Sequence, residues 1–178
     1  MPNLRITLWG NSGSGKSTLA ELAGAKLGLP VFHLDLIAWE RGWRYRDEPG
    51  FLALQRPWLD QPGWIIEGVG GWAGLIERFR RADLIVHLDT PPALCEERAR
   101  LRMAEDRITK NRFMTEGCRY SDVAQRQLEV IRYFEHQLRD DIEAILQTEF
   151  ATTSQIRLDG TQSTDILGRE LAGRARTP

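Results

Sequence analysis

In Gly10-Asn11-Ser12-Gly13-Ser14-Gly15-Lys16-Ser17, residue type and spacing say most about chemistry. The glycines let successive backbone N–H groups turn inward on phosphate oxygens, and a helix starting at Lys16 would aim its positive end at the same place. Lys16 can reach the outer phosphates of a nucleoside triphosphate, and the Ser17 hydroxyl can ligate Mg²⁺. The pattern therefore predicts an ATP site built from Gly10, Asn11, Ser12, Gly13, Ser14, Gly15, Lys16 and Ser17, with Thr18 beside them.

Three acids stand just past apolar runs that read as strands: Asp35, Glu67 and Asp89. At the C-terminal ends of parallel strands, such residues open onto the ligand crevice. Trp64-Ile65-Ile66-Glu67 suits a carboxylate that holds Mg²⁺ through a water of its shell, paired with Ser17. Asp35 can either accept a proton from an acceptor hydroxyl or orient that hydroxyl by hydrogen bonding. Asp89, followed by Pro91 and Pro92, reads as a helix cap, with Thr90 as the other candidate.

From Arg98 to Arg119, seven basic residues (Arg98, Arg100, Arg102, Arg107, Lys110, Arg112 and Arg119) face three acids (Glu105, Asp106 and Glu116). Arg98 and Arg102 fall four apart, on one face of a helix, where guanidinium forks could stabilise a phosphoryl group in transfer. Five tryptophans between Trp39 and Trp72, interleaved with Arg41, Arg44 and Arg46, either line a pocket for a flat or apolar acceptor or pack in the core. His33, His87 and His136 lack metal-ligand spacing with each other or with Cys95 and Cys118, and no chemistry is assigned to them.

The elements that must position these groups are legible as alternating strands and helices. Leu4, Ile6 and Leu8 alternate with Arg5, Thr7 and Trp9, a strand ending at Gly10. Leu19, Leu22, Ala23 and Leu27 fall at helical spacing before a stop at Gly28 and Pro30. Further strands are expected at Val31 to Leu34, Trp64 to Ile66, Leu84 to Leu88 and Gln155 to Leu158. A helix is expected at about residues 91–103, and a long amphipathic one after Ser121 as N-cap, with its stripe at Leu128, Ile131, Leu138, Ile142 and Ile145. Gly173 to Pro178 reads as a frayed tail.

With 178 residues, 42% of them hydrophobic, one core and one domain over 1–178 are expected. A formal net charge of −1 lacks the footprint of a general nucleic-acid binder. The two separated cysteines and the absence of an N-terminal apolar run predict a reduced, cytoplasmic setting. No stretch approaches the ~20 apolar residues of a membrane span.

The order of these motifs resembles the nucleoside-monophosphate and shikimate kinase-like family across nearly the whole chain. The resemblance rests on the loop Gly10 to Ser17, on Asp35, on Trp64-Ile65-Ile66-Glu67-Gly68, on Asp83 to Arg102, and on Ile156-Arg157-Leu158-Asp159-Gly160. It implies an α/β, three-layer P-loop NTPase fold with a five-stranded parallel sheet in the order 2-3-1-4-5. It also implies an acceptor-binding insertion at about 36–62 and a helical lid at about 103–120, which brings Arg98 and Arg102 to the phosphates. Gly160, Thr161 and Gln162 would pack against adenine. A narrower similarity links His33-Leu34-Asp35, Trp39, Gly42-Trp43, Trp64-Ile65-Ile66-Glu67-Gly68 and Met114-Thr115-Glu116-Gly117-Cys118 to the bacterial adenylate-kinase-related subgroup called DNA topology modulation proteins. Where adenylate kinases carry a Pro-Arg pair that helps bind the acceptor nucleotide, this chain reads Gly68-Val69-Gly70-Gly71-Trp72, which argues against an AMP acceptor; Arg41, Arg44 or Arg46 could replace that clamp.

The resulting expectation is a kinase that transfers the γ-phosphoryl group of Mg-ATP to a small acceptor such as a nucleoside, nucleotide or small hydroxy compound. Lys16, Asp35, Arg98 and Arg102 would be its catalytic residues. The alternative is an ATP-switched protein that binds nucleic acid or a protein partner, for which the basic lid is the support. A GTPase is disfavoured, because Thr109-Lys110-Asn111-Arg112 lacks the acid of a guanine signature.

Overall fold

Every residue of β1 (Arg5–Trp9) after Arg5 is buried, as befits a strand with helices on both faces. The computed structural model describes residues 3–106, 108 and 112–175. It places parallel neighbours on either side of β1, namely β5 (Trp64–Glu67) and β6 (Leu84–Asp89). β2 (Val31–His33) pairs beyond β5, and β7 (Ser154–Asp159) beyond β6. Two further short strands, β3 (Trp39–Glu40) and β4 (Arg44–Tyr45), form a separate antiparallel hairpin. Counted within the main sheet alone, the order is the expected 2-3-1-4-5.

One face of the sheet is covered by α1 (Lys16–Leu27) and α8 (Thr164–Arg174), where Leu19, Ala23, Leu167 and Leu171 pack on Ile6, Leu8 and Val86. On the other face, Leu75 and Phe79 of α4 (Trp72–Arg81) join Phe134, Ile142 and Leu146 over Trp9 and Ile85. Beside β5, α2 (Asp35–Ala38) and α3 (Glu48–Leu59) bury Leu34, Phe51 and Leu59 against Trp64 and Ile66. Gly28 ends α1 at φ 68°, the left-handed conformation a glycine adopts without strain.

Several local expectations are corrected. The Asp89 carboxylate accepts from Arg157 at 2.7 and 2.9 Å, while the Thr90 hydroxyl donates to the Ser14 carbonyl at 3.2 Å. Both side chains thus have partners outside α5 (Pro92–Asp106), the helix they were expected to cap. Ser121 lies inside a 3₁₀ turn (Tyr120–Val123), so Val123 is the residue preceding α6 (Ala124–Tyr133). The long amphipathic helix is interrupted by a π-turn (Phe134–Leu138) before α7 (Arg139–Thr148). At the C-terminus, α8 continues to Arg174 where a frayed tail was expected, and 176–178 lie outside the described residues. Among the described residues, no helix is long and apolar enough to cross a membrane.

Arg78 on α4 has 0% exposure. Its guanidinium donates to the Gln55 side chain at 2.6 Å, to the Gly68 carbonyl at 3.3 Å and to the Val69 carbonyl. The cation thus holds the stretch Gly68 to Gly71 from beneath. Gly70 adopts φ 64° there, and an added Cβ would stand 2.8 Å from the Phe51 ring. Burial lowers the pKa of Arg78, and Tyr45 and Glu67 oppose that shift. Arg78→Met would leave these acceptors without a donor and should destabilise the fold by about 3 kcal/mol in urea unfolding; a loss below ~0.5 kcal/mol would show that this network carries no stability.

Candidate active site

β1 delivers the chain into the loop at the C-terminal edge of the sheet. Gly10, Gly13 and Gly15 all have positive φ (152°, 81° and 99°). A Cβ at Gly13 would stand 2.3 Å from the Cys95 carbonyl oxygen, so only glycine lets α5 approach the loop this closely. Lys16 donates from Nζ to the Asn11 carbonyl at 3.2 Å, which folds its side chain across the loop. From the other side α6 grips the loop: Asn11 Nδ2 donates to the Ile131 carbonyl at 2.9 Å, and the Ser12 hydroxyl to Gln127 Oε1 at 3.2 Å.

Below the loop, the Ser17 hydroxyl donates to Glu67 Oε1 at 2.9 Å. The same oxygen lies 2.8 Å from His33 Nδ1, and the other ring nitrogen of His33 lies 2.8 Å from Glu21 Oε1. Burial is the largest influence on both buried partners, and in both it is outweighed. Burial would raise Glu67, but hydrogen bonds from His33 and Ser17 and the charge of Lys16 hold its pKa below the usual value. Burial would lower His33, but the two carboxylates together raise it. His33, whose spacing carries no sign of chemistry, thus bridges two carboxylates that raise its pKa. Its signal lies in the fold: with β2 beside β5, His33 and Glu67 are register partners.

Two cavities open over this layer. One, of about 320 Å³, is lined by Gly13, Gly15, Lys16, Ser17, Thr18, Arg98 and Arg102 together with Asp35 and Tyr120. The other, of about 350 Å³, takes its walls from Asn11, Lys16, Asp35, Trp39, Tyr45, Gly68 to Gly70, Met114, Tyr120, Tyr133 and Phe134. Lys16, Asp35 and Tyr120 belong to both. Asp35 opens α2, and its Oδ2 accepts a long hydrogen bond, 3.4 Å, from the Tyr120 hydroxyl. Loss of water raises the Asp35 pKa, the nearby Glu67 charge adds to the rise, and Lys16 and Arg102 oppose it. A further cavity of about 240 Å³, at Trp9, His87, Glu143 and Arg157, shares no residue with these two.

Arg98 and Arg102 line the same cavity, as their four-residue spacing requires. Arg98 donates to the carbonyls of Ser14 at 2.9 Å and Gly160 at 3.3 Å, tying the phosphate loop to the β7–α8 turn. In that turn, Gly160 N–H donates to the Asp89 carbonyl at 2.7 Å, and Thr161 is held on Asp159. None of these three cavities includes Gly160, Thr161 or Gln162 in its walls. Arg102 lies over the Tyr120 ring at 4.7 Å.

Other members of the basic cluster are turned to partners within the chain: Arg100 to Glu96, Arg112 to Glu21 and Arg119 to the Asp106 carbonyl. Arg107 and Lys110 lie outside the described residues, as does most of Thr109 to Arg112. Arg44 and Arg46 both pair with Glu40, and the Arg41 stem packs against Gly117. None of these three arginines lines the second cavity, so the substitute for the missing Pro-Arg clamp is not found there.

Of the five tryptophans, Trp39 alone lines the second cavity. Trp43 and Trp64 are buried, Trp58 stacks on Phe32, and Trp72 is exposed. The remaining rings of the wall come from tyrosines and a phenylalanine that sequence reasoning passed over. The segment 112–120 packs on α2 and the β3–β4 hairpin. Thr115 Oγ1 donates to the carbonyls of Asp35 and Leu36, both at 3.0 Å, and Cys118 Sγ contacts the Glu40 carbonyl at 3.2 Å. Trp43, at the unusual φ of 62°, is fixed in the hairpin turn through its indole N–H to the Arg119 carbonyl at 3.0 Å.

No family model matches the chain, and no curated protein sequence matches it; the narrower likeness to DNA topology modulation proteins thus gains no support. Solved structures do match. A gluconokinase from Sinorhizobium meliloti 1021 aligns with TM-score 0.56 at 16% identity, covering 97% of this chain and 91% of its own. A shikimate kinase from Bacteroides thetaiotaomicron aligns with TM-score 0.54 at 19% identity over 98% and 99%. An unliganded sugar kinase from Janibacter sp. HTCC2649 aligns with TM-score 0.51 at 19% identity over 99% and 100%. At these identities the likeness is one of fold, and the chain has the α/β architecture of these kinases over its whole length.

Proposed function

We propose that the chain is a small-molecule kinase that transfers the γ-phosphoryl group of ATP to a hydroxyl acceptor. The observation that carries this reading is that the two cavities meet at Lys16 and Asp35. A phosphoryl donor in the first and a hydroxyl acceptor in the second would be held in line across that junction, with positioning and charge stabilisation doing the catalysis. The kinase neighbours support the same reading through their shared fold.

In this reading Gly10 to Thr18 cradle the phosphates, and Lys16, Arg98 and Arg102 stabilise the charge that develops on the transferred group. The turn Gly160 to Gln162 supports the adenine. Ser17 and Glu67 would hold Mg²⁺ directly or through water. The fit is sound, because a hydroxyl and a carboxylate kept ionised stand 2.9 Å apart beside the loop, both hard oxygen donors. When bound, the ion would supply neutralisation of phosphate charge. Asp35 receives or orients the acceptor's proton, with residues at about 36–62 as the acceptor side and about 103–120 as the lid. The nucleic-acid reading is weaker, because its supporting arginines are largely occupied within the chain.

Lys16→Ala should reduce ATP-dependent ADP formation by ~10³-fold or more while the chain remains folded by circular dichroism; activity retained in that variant would remove Lys16 from its role.

Asp35 has a raised pKa, so the native state binds its proton more tightly than the unfolded state, and ionising it as pH rises lowers stability. Asp35→Asn should therefore melt at a higher temperature than wild type at neutral pH while losing ~10²–10⁴ in kcat. If Asp35 is the base, the acid limb of the wild-type rate profile lies above the ordinary carboxylate range and disappears from the residual activity of Asp35→Asn.

His33 also has a raised pKa, and for a base this stabilises the fold below the unfolded value of 6.5 and fades as pH climbs through the folded value. His33→Gln should lower the urea midpoint at a pH of about 6 and converge on wild type at a pH of about 9. A gap that stays constant with pH would mean that the bridging His33 carries no charge.

A further inference from the structure

The second cavity has an unusual wall for a site beside a phosphate loop. Trp39, Tyr45, Tyr120, Tyr133 and Phe134 supply its rings, and its charged lining residues are Lys16 and Asp35. Lys16 is bound to the loop carbonyl of Asn11 and faces the donor side as well, so it serves the transferred phosphate. Any acceptor in this cavity therefore meets one carboxylate as its own charged neighbour, with Glu67 close enough to perturb it.

Among the described residues, Lys16 is the one cation that lines this cavity, and Arg126 stands outside it over the Trp39 ring at 5.4 Å. Arg78 lies beneath Gly68 to Gly70 with its donors on Gln55 and the carbonyls of Gly68 and Val69. Arg44 and Arg46 share Glu40, and Arg102 belongs to the donor cavity. A phosphate or carboxylate placed here would lose its water shell beside Asp35, with no lining cation besides the Lys16 that the transferred phosphate also needs. A flat ring would lose only apolar hydration, and Tyr45 and Tyr133 at the rim, 46% and 53% exposed, offer it surface not yet covered.

We propose that the acceptor is an uncharged hydroxyl compound carrying a flat ring, such as a nucleoside or an aromatic alcohol, and that the wall of the second cavity excludes its phosphorylated or carboxylated counterparts. This rests on the kinase reading of the two joined cavities. The acceptor O–H donates to Asp35, and its oxygen forms a bond to the γ-phosphorus. The bond from that phosphorus to the bridging oxygen breaks, ADP leaves with the electron pair, and the proton passes to Asp35.

The test uses matched pairs with the purified full chain and Mg-ATP. Adenosine, guanosine, cytidine and uridine are each set against their own 5′-monophosphate, and benzyl alcohol against 4-(hydroxymethyl)benzoate. Calorimetric binding and ADP formation are measured separately. The expected result is that at least one neutral compound binds and exceeds its anionic partner by about tenfold or more in affinity and in kcat/KM. The inference is overturned if the anionic member of a bound pair equals or exceeds the neutral one, or if no neutral compound binds. Binding of a neutral compound without any ADP formation would instead overturn the kinase reading and leave the charge preference of the cavity standing. Val130, 42% exposed and part of the cavity wall, allows a converse test. Val130→Lys should shift the neutral-to-anionic ratio of kcat/KM several-fold toward the anionic members; an unchanged ratio would overturn the role of wall charge in the preference.

Discussion

Glu67 is 3% exposed, with its pKa held below the usual value, and its charge is felt at Asp35. An uncompensated carboxylate in such a place would consume much of the stability margin of a domain this size. Compensation comes from three directions: the Ser17 hydroxyl, Lys16 from the loop, and His33 from the neighbouring strand. Each of these depends on sheet order. β5 must lie between β1 and β2 for Glu67 to meet both α1 and His33, and α1 must leave β1 through a glycine loop for Ser17 to turn down onto the carboxylate.

The main sheet was legible because β5 and β6 are largely apolar runs and β1 alternates at a period of two up to Gly10. The phosphate loop was legible for a related reason, since its backbone conformation admits few residue types. The features that escaped reading depend on neighbours distant in sequence. Asp89 reads as a cap until β6 and β7 are aligned, which puts Arg157 within reach of it. Arg41, Arg44 and Arg46 read as an anion clamp until the β3–β4 hairpin closes and brings Glu40 to two of them. His33 shows no metal-ligand spacing because its partners, Glu21 and Glu67, are acids on two other elements.

The π-turn illustrates the same limit within one helix. Ile131 and Ile142 keep the apolar stripe in phase on either side of it, so the sequence reads as one continuous helix. A wider turn rotates the helix downstream of it and carries its own side chains to a new bearing. Phe134 and Leu138, its first and last residues, both line the second cavity. Beyond the glycine loop, Asp35 and Gly68 to Gly70, the wall of that cavity is assembled from three separated stretches, at 38–45, 114–120 and 127–138. None of these has a motif of its own, which is why its chemistry emerged from the structure.

The contacts between 115–119 and the insertion bear on how such a protein could change. Thr115 is bonded to the backbone carrying Asp35, Cys118 to Glu40, and the Trp43 indole to Arg119. Tyr120, at the end of the same stretch, reaches both cavities. Mutations that redraw one side are therefore transmitted to the other through shared backbone. Reshaping of the second cavity is thus expected to need paired changes in 35–45 and 112–120, a pattern of epistasis built into the scaffold.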